Sequence, residues 1–456
     1  MSILYKINRL FAVFLLSTLA ASGYAQTISG SWKGELNAGA MKLGILFHVS
    51  KDACTMDVPQ QNAKDIPAQV VLISADSLKI AIPKIGARYE GCLQEGEIKG
   101  TFTQSGMAFP LNLKPGKIEI KRPQTPQPPF AYNSEEVYFD NKEAGARLCG
   151  TLTYPMGYDK MNKKTVPVVL MITGSGLENR DEEIFSHKPF LVIADYLAKN
   201  GIASLRYDDR SYGKSTGDVK NATTVDFMKD AEAGIAYLRS TKKFGKIGAL
   251  GHSEGGTITF MLGSRQKTDF IISLAGTAVR GDSILVSQNR KILLLSGMPT
   301  EMCNDYCKLL EAVYQYKINH RSTDNPKAVI DGIMKETSVQ MTGKPVENLA
   351  QLLTMKNAWI DSFIAFDPAA DIAKVGCPVM AVNGSLDTQV ISSFNLATLK
   401  KLLPANKRNV IKEYNGLNHL FQHCTTGSSM EYNNIEETFS TEVLRDMASW
   451  IKAISK

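Results

Sequence analysis

Two hydrophobic rhythms divide the chain. From residue 27 to about 117 apolar positions recur every second residue. Leu43, Ile45, Phe47 and Val49 form one such run, Leu78, Ile80 and Ile82 a second, and Met107, Phe109, Leu111 and Leu113 a third. A period of two buries one face of each strand, and the Gly and Asp residues between runs supply turns. The expectation is a small antiparallel sheet, either a curled barrel or a sandwich. Residues 118–130 interrupt the pattern. Pro123, Pro126, Pro128 and Pro129 fix φ and withhold backbone donors, which predicts an extended, stiff linker.

Beyond the linker, over 131–456, strands alternate with helices. A hairpin, Glu136 to Phe139 with Arg147 to Leu152, opens the domain. Continuous apolar runs at Val168 to Ile172, Ile202 to Tyr207, Lys246 to Gly251, Asp269 to Leu274 and Pro378 to Asn383 read as strands buried on both faces. Helices are predicted over Pro189 to Lys199, from Thr224 to Leu238, from Glu254 onward, and along Val443, Met447, Trp450 and Ile451. That alternation gives a mostly parallel sheet covered on both sides. About a hundred residues separate Gly276 from Cys377, far more than a βα connection needs. The stretches around Lys308 to Lys317 and Val346 to Trp359 look helical, so a helical lid is expected over about 280–365.

The first residues read as an export signal. Lys6 and Arg9 precede an apolar stretch from Leu10 to Ala21, and Gly23 and Ala25 are small residues suited to cleavage after Ala25. The stretch is short for a membrane span, and no second long one follows, so no transmembrane span is expected in the mature chain and the location is periplasmic or extracellular. Without Lys6 and Arg9 the formal charge falls from +7 to +5, too mild to imply a nucleic-acid partner. Seven cysteines in so long a chain are not a disulfide scaffold. Cys54 with Cys92 is one candidate bridge; Cys303 and Cys307 face alike on a helix but lack further ligands for a metal.

The chemistry concentrates at strand ends. Gly251-His252-Ser253-Glu254-Gly255-Gly256 fits G-x-S-x-G between a strand and a helix, where a serine is forced out of the sheet and glycines remove obstructing Cβ atoms. Ser253 is the expected nucleophile. An oxyanion hole needs two amides: Glu254, after the nucleophile, and Ser175 or Gly176 in the loop Thr173-Gly174-Ser175-Gly176. The Glu254 side chain is expected to point away. With such an elbow the order along the chain is serine, acid, histidine. His419, after a strand and a glycine turn, is the expected base in preference to His423; His187, His252 and His320 lie elsewhere. Asp387, following the strand that ends at Asn383, is the expected acid, with Asp367 its rival. Arg180 and Asp181, with Asp208, Asp209 and Arg210, are read as loop supports. Gly213-Lys214-Ser215 lacks the earlier glycine of a phosphate loop.

These segments, with Tyr207-Asp208-Asp209-Arg210, Gly213-Lys214-Ser215-Thr216-Gly217, Asn383-Gly384-Ser385-Leu386-Asp387 and Asn418-His419, resemble the bacterial α/β-hydrolase family, and more narrowly secreted esterases and serine aminopeptidase-like hydrolases of Bacteroidetes type. The resemblance covers about 130–456. Residues 27–117, with Gln104-Ser105-Gly106 near their end, are similar to the β domain that often precedes this hydrolase. It implies an α/β-hydrolase fold with a lid after the strand Asp269 to Leu274, and Ser253, Asp387 and His419 in their usual roles. Ser211 stands where relatives usually have glycine. The function expected is hydrolysis of carboxylic esters through an acyl-enzyme, on a small ester or short peptide-like substrate, with no cofactor and no metal. An amidase or aminopeptidase with the same machinery is the alternative; such an enzyme needs an acidic anchor, for which Glu301, Asp305 and Glu311 are lid candidates. A binding module with a vestigial core is the reading from another class.

Overall fold

The computed structural model describes residues 28–38, 41–61, 63–117 and 121–456; the expected export signal lies outside them. The described chain forms two compact units, one ending before the proline-rich segment and one from that segment to the C-terminus.

The first unit is a nine-stranded antiparallel sheet: β1 (Gly30–Ala38), β2 (Met41–Val49), β3 (Cys54–Val58), β4 (Ala63–Ile73), β5 (Ser77–Ile82), β6 (Ala87–Gln94), β7 (Glu97–Gln104), β8 (Met107–Pro110) and β9 (Lys114–Pro115). Sequential neighbours pair from β1 to β8. The ends then meet. Leu113 bridges to Ile98 of β7, while Pro115 pairs with Trp32 of β1. The sheet is therefore a curled barrel, and closure leaves it without a free edge along that seam. Its core is the period-two set, with Phe47, Leu78, Ile82, Leu111 and Leu113 fully buried. Met107, expected inside, is 60% exposed because the strand begins at a turn beyond the barrel's packed interior. Tyr89 fills the interior and donates its hydroxyl to the carbonyls of Ile98 and Leu111. Gly100 makes room for it: a Cβ there would lie 2.4 Å from that hydroxyl. Cys54 and Cys92 are free thiols, on strands separated in the sheet by β4 and β5.

The second unit is an α/β-hydrolase-like core. Its strands are β10 (Ser134–Asn141), β11 (Ala146–Thr153), β12 (Val168–Ile172), β13 (Ala203–Tyr207), β14 (Ile247–His252), β15 (Phe270–Leu274), β16 (Val379–Gly384) and β17 (Val410–Tyr414). They lie in the order β10-β11-β13-β12-β14-β15-β16-β17. The β10–β11 hairpin is antiparallel, β11 joins β13 antiparallel, and the remainder run parallel. Strand alternation sorts the two cores. Val168, Leu170 and Ile172 pack with α2 (Thr224–Thr241), α3 (Glu254–Ser264) and α10 (Ser392–Leu402) on one face. Val169 and Met171 pack with α1 (Pro189–Lys199) and α11 (Thr441–Ser455) on the other. Burial on both faces is what makes these strands uninterrupted apolar runs.

Between β15 and β16 the chain inserts α4 (Gly281–Leu295), α5 (Thr300–His320), α6 (Pro326–Thr337), α7 (Lys344–Thr354), α8 (Ala358–Ala365) and α9 (Ala369–Ile372). The insert has its own core of Leu310, Val313, Ile330, Leu349, Leu353 and Ile364. The helix expected across Val346 to Trp359 is broken. Met355 is extended, and the Asn357 side chain caps α8 by accepting from the Ile360 amide. The buried Lys317 ammonium stabilises the break, donating to the Met355 and Arg321 carbonyls and pairing with Asp361. Cys303 and Cys307 are buried free thiols on α5. Among the described residues no helix is long and apolar enough to cross a membrane.

The proline-rich segment is anchored on the second unit. The Arg122 guanidinium donates to the carbonyls of Phe185, Asn433 and Ile435. Gln124 accepts from the Thr438 and Phe439 amides and donates to the Phe439 carbonyl.

Candidate active site

Ser253 occupies the turn between β14 and α3 with φ 53° and ψ −118°, a conformation that L-residues rarely adopt. Two close approaches hold the turn. A Cβ on Gly251 would lie 2.0 Å from the Gly255 carbonyl oxygen, and one on Gly255 would lie 2.2 Å from that of Ile172. The Ser253 amide donates to the Leu274 carbonyl at 2.9 Å, fixing the turn to β15. The serine opens onto a cavity of about 460 Å³.

His419 lines the same cavity, in the loop after β17. Its Nδ1 lies 2.8 Å from Asp387 Oδ2, and both side chains are buried. The other Asp387 oxygen accepts from the Gln389 and Val390 amides at 2.8 and 2.9 Å. The carboxylate is thus satisfied by three donors and aimed at one imidazole nitrogen, leaving Nε2 as the acceptor of the neutral ring.

Gly174 and Ser175 also line the cavity, and Gly176 follows with φ 116°. The loop is tied to the strand ends beside it. Arg180 pairs with Asp208 through Nη2 at 2.6 Å and also donates to it from Nε and the main chain. Asp181 pairs with the buried Arg206. Asp209 accepts from the Thr173 hydroxyl and the Glu178 amide, and burial pushes its carboxyl up to about 7. Arg210 makes a two-pronged pair with Asp230 at 2.7 Å. Ser211 takes φ 62°, the backbone region glycine would favour, and its hydroxyl donates to the Gly217 carbonyl.

The other candidates are engaged elsewhere. His423 is exposed and pairs with Glu437; Asp367 caps the Ala369 amide; His320 contacts the Tyr316 carbonyl. His187 is buried between Thr438 and the Tyr432 carbonyl, and burial depresses it to about 4. Glu301, Asp305 and Glu311 are exposed on α5.

The structure corrects one expectation and adds residues the sequence reading missed. The Glu254 side chain does not point away. It is buried at the cavity wall, accepting from Thr224 Oγ1 and from the indole nitrogen of Trp359, and burial raises its pKa. Its place as first residue of α3 aims it along the cavity rather than into solvent. Glu178, Glu182 and Glu183 line the same cavity. Glu182 lies 2.8 Å from His252, whose other nitrogen meets the main-chain oxygen of His419 at 2.8 Å. Burial works against an imidazolium there, but the charge and hydrogen bond of Glu182 outweigh it and hold His252 up at about 9. Burial and the nearby charges of Glu182 and Asp209 push Glu178 up to about 9. The run Asn179-Arg180-Asp181-Glu182 directly after the glycine loop was the available signal; the left-handed backbone at Glu182 (φ 53°), which directs its side chain inward, was not readable.

Among the described residues, no cluster of three or more His, Cys, Asp or Glu side chains is placed to hold a metal ion. Esterase EstD of Thermotoga maritima is 25% identical over 274 residues, 60% of this chain and 58% of that protein, so the chain matches under two thirds of its length. Among solved structures, an esterase of Pyrococcus furiosus is 14% identical with a TM-score of 0.40, covering 72% of this chain and 94% of that one. The proline iminopeptidase of Mycobacterium smegmatis is 12% identical with a TM-score of 0.42, covering 70% and 99%. Residues 144–412, which run from β11 into β17 through the elbow and the insert, match the family described as X-Pro dipeptidyl-peptidase (S15 family), and the chain belongs to that family of α/β-hydrolase-type enzymes.

Proposed function

We propose that the protein is a serine hydrolase that cleaves carboxylic esters through an acyl-enzyme. The observation that carries this reading is the 2.8 Å contact of His419 with the buried Asp387 at a cavity onto which Ser253 opens. Ser253 Oγ attacks the carbonyl carbon while His419 Nε2 takes the hydroxyl proton. The Glu254 amide and the Ser175 amide, with Gly176 as the second choice in that loop, receive the oxyanion. The tetrahedral adduct collapses, the C–O bond to the alcohol breaks, and His419 returns the proton to the leaving oxygen. Water, losing a proton to His419, then attacks the acyl-enzyme and frees Ser253. Asp387 keeps His419 in the required tautomer and stabilises its cation. Residues 281–365 act as a lid in this scheme, and the barrel is a separate domain ahead of the catalytic one.

A specific observation supports the amidase reading beside it. The acidic wall expected in the lid is instead built from Glu183 and Glu254, which line the cavity without a Lys or Arg among its lining residues, while Glu178 beside them is held protonated at neutral pH. Such a wall favours substrates bearing an amine. The N-terminal pattern supports export to the periplasm or beyond.

The test is hydrolysis of p-nitrophenyl acetate and of alanine p-nitroanilide by the protein and by Ser253→Ala. Loss of both activities in the variant is expected, and the ratio of the two in the parent decides between ester and amide. Equal rates with and without the serine hydroxyl end the proposal.

A further inference from the structure

The residue after the elbow serine contributes more than an amide. Glu254 is 3% exposed, and three elements converge on its carboxylate. Thr224, at the start of α2, donates to Oε1 at 2.5 Å. The Trp359 indole, from α8 of the insert, donates across both oxygens at 3.0 and 3.2 Å. The Ser175 side chain, from the loop after β12, hydrogen-bonds to it as well. Burying a carboxylate is costly unless donors satisfy it, so this group holds these elements only while each donor stays in place.

Trp359 is also a wall of the cavity. Its ring stacks on Phe363, centroids 5.1 Å apart and planes 21° from parallel, and Phe363 packs with Ile284 and Val390. All four line the cavity. The insert's main core is made elsewhere, from α5, α6, α7 and Ile364. The indole–carboxylate contact is therefore a polar tie between α8 and the helix that begins at the elbow. Without it the indole keeps its stacking but loses the bond that fixes its rotation over the cavity.

We propose that Glu254 is the positioning residue for Trp359, and that this pair fixes the cavity wall that selects substrates by the size of the acyl group. The inference rests on Ser253 acting as the nucleophile. Trp359 touches the substrate; Glu254 acts through it. With the carboxylate in place the wall is held at one depth. With the tie removed the ring recedes, longer acyl chains are admitted, and short ones lose contact.

The test uses the full chain and p-nitrophenyl acetate, butyrate and octanoate, which share a leaving group and differ only in acyl length. Trp359→Phe keeps a stacking ring and removes the donor. Glu254→Gln keeps the size and removes the charge. Each single change is expected to shift the octanoate-to-butyrate ratio of kcat/KM upward by about threefold or more, chiefly through KM, and the double variant is expected to shift it no further than either single one. Acrylamide quenching of tryptophan fluorescence rises in Glu254→Gln and not in the double variant, because Trp32 and Trp450 are buried. An equal fall in kcat on all three esters with the ratio unmoved overturns the assignment, as do two changes that multiply independently. Trp359→Phe decides the ratio by itself if Glu254→Gln does not fold. Fluorophosphonate labelling separates the two layers. Adduct on a residue other than Ser253 sinks the nucleophile reading. Adduct on Ser253 with an unmoved ratio sinks only the role given to Glu254.

Discussion

His252 and Glu182, 2.8 Å apart and both buried, join three loops around the candidate nucleophile. The Glu182 oxygen that meets His252 also accepts from the Gly174 amide at 3.1 Å. The far nitrogen of His252 donates to the His419 carbonyl. One ion pair thus fixes the loop after β12, the elbow and the loop that carries His419. Because the pair raises His252 to about 9, its stabilisation is complete below the usual histidine range and is lost as pH rises through about 9.

Glu182→Gln removes the partner that keeps His252 charged. The variant is expected to lose about 2–3 kcal/mol at pH 7. The decline of Tm that runs in the parent from the ordinary histidine range of about 6.5 up to about pH 9 disappears in the variant. Thermal melts from pH 6 to 10 check this; an unchanged alkaline limb refutes it.

Asp387→Asn tests the orienter. Asn can still accept from the Gln389 and Val390 amides through one oxygen, so the turn survives. Its NH2 then faces His419 and favours the tautomer with the proton on Nε2. We expect kcat to fall by about 10³–10⁴ with little change in KM, measured on p-nitrophenyl butyrate.

Much of the fold was legible because it is locally encoded. Val168 to Ile172 and Pro189 to Lys199 have in the structure the bounds that apolar runs and a starting proline give them. The same holds for the turn after β14, where glycines flank a serine. The site's acidic wall was less legible. Glu182 reaches the cavity through a left-handed backbone, and Trp359 reaches Glu254 across 105 residues of chain. No period or spacing encodes such meetings; packing of the insert does. The break between α7 and α8 was hidden for the same reason, since it depends on Lys317 from α5.

Glu178→Gln is expected to stabilise the protein increasingly as pH rises. Burial and neighbouring charges hold the Glu178 carboxyl up at about 9, so the folded state binds its proton more tightly than the unfolded chain. That preference costs stability progressively between the usual carboxylate range and about pH 9. The variant escapes the cost. Its Tm advantage is near zero at pH 4.5 and grows toward pH 9; a constant difference across the range contradicts the account.

Arg122→Ala in the full chain tests the anchoring of the proline-rich segment. Its guanidinium donates to the Phe185, Asn433 and Ile435 carbonyls. Truncation is expected to cost about 2 kcal/mol, seen as a lower urea midpoint for the second unit.

The central claim is answered most directly by trapping the intermediate. The protein is mixed with p-nitrophenyl butyrate, quenched in acid within the first turnover, digested and analysed by mass spectrometry. One butyryl group on the peptide containing Ser253, absent in Ser253→Ala and persisting longer in His419→Ala than in the parent, is the predicted result. Turnover with no acyl group on that peptide, or an acyl group at another residue, contradicts it.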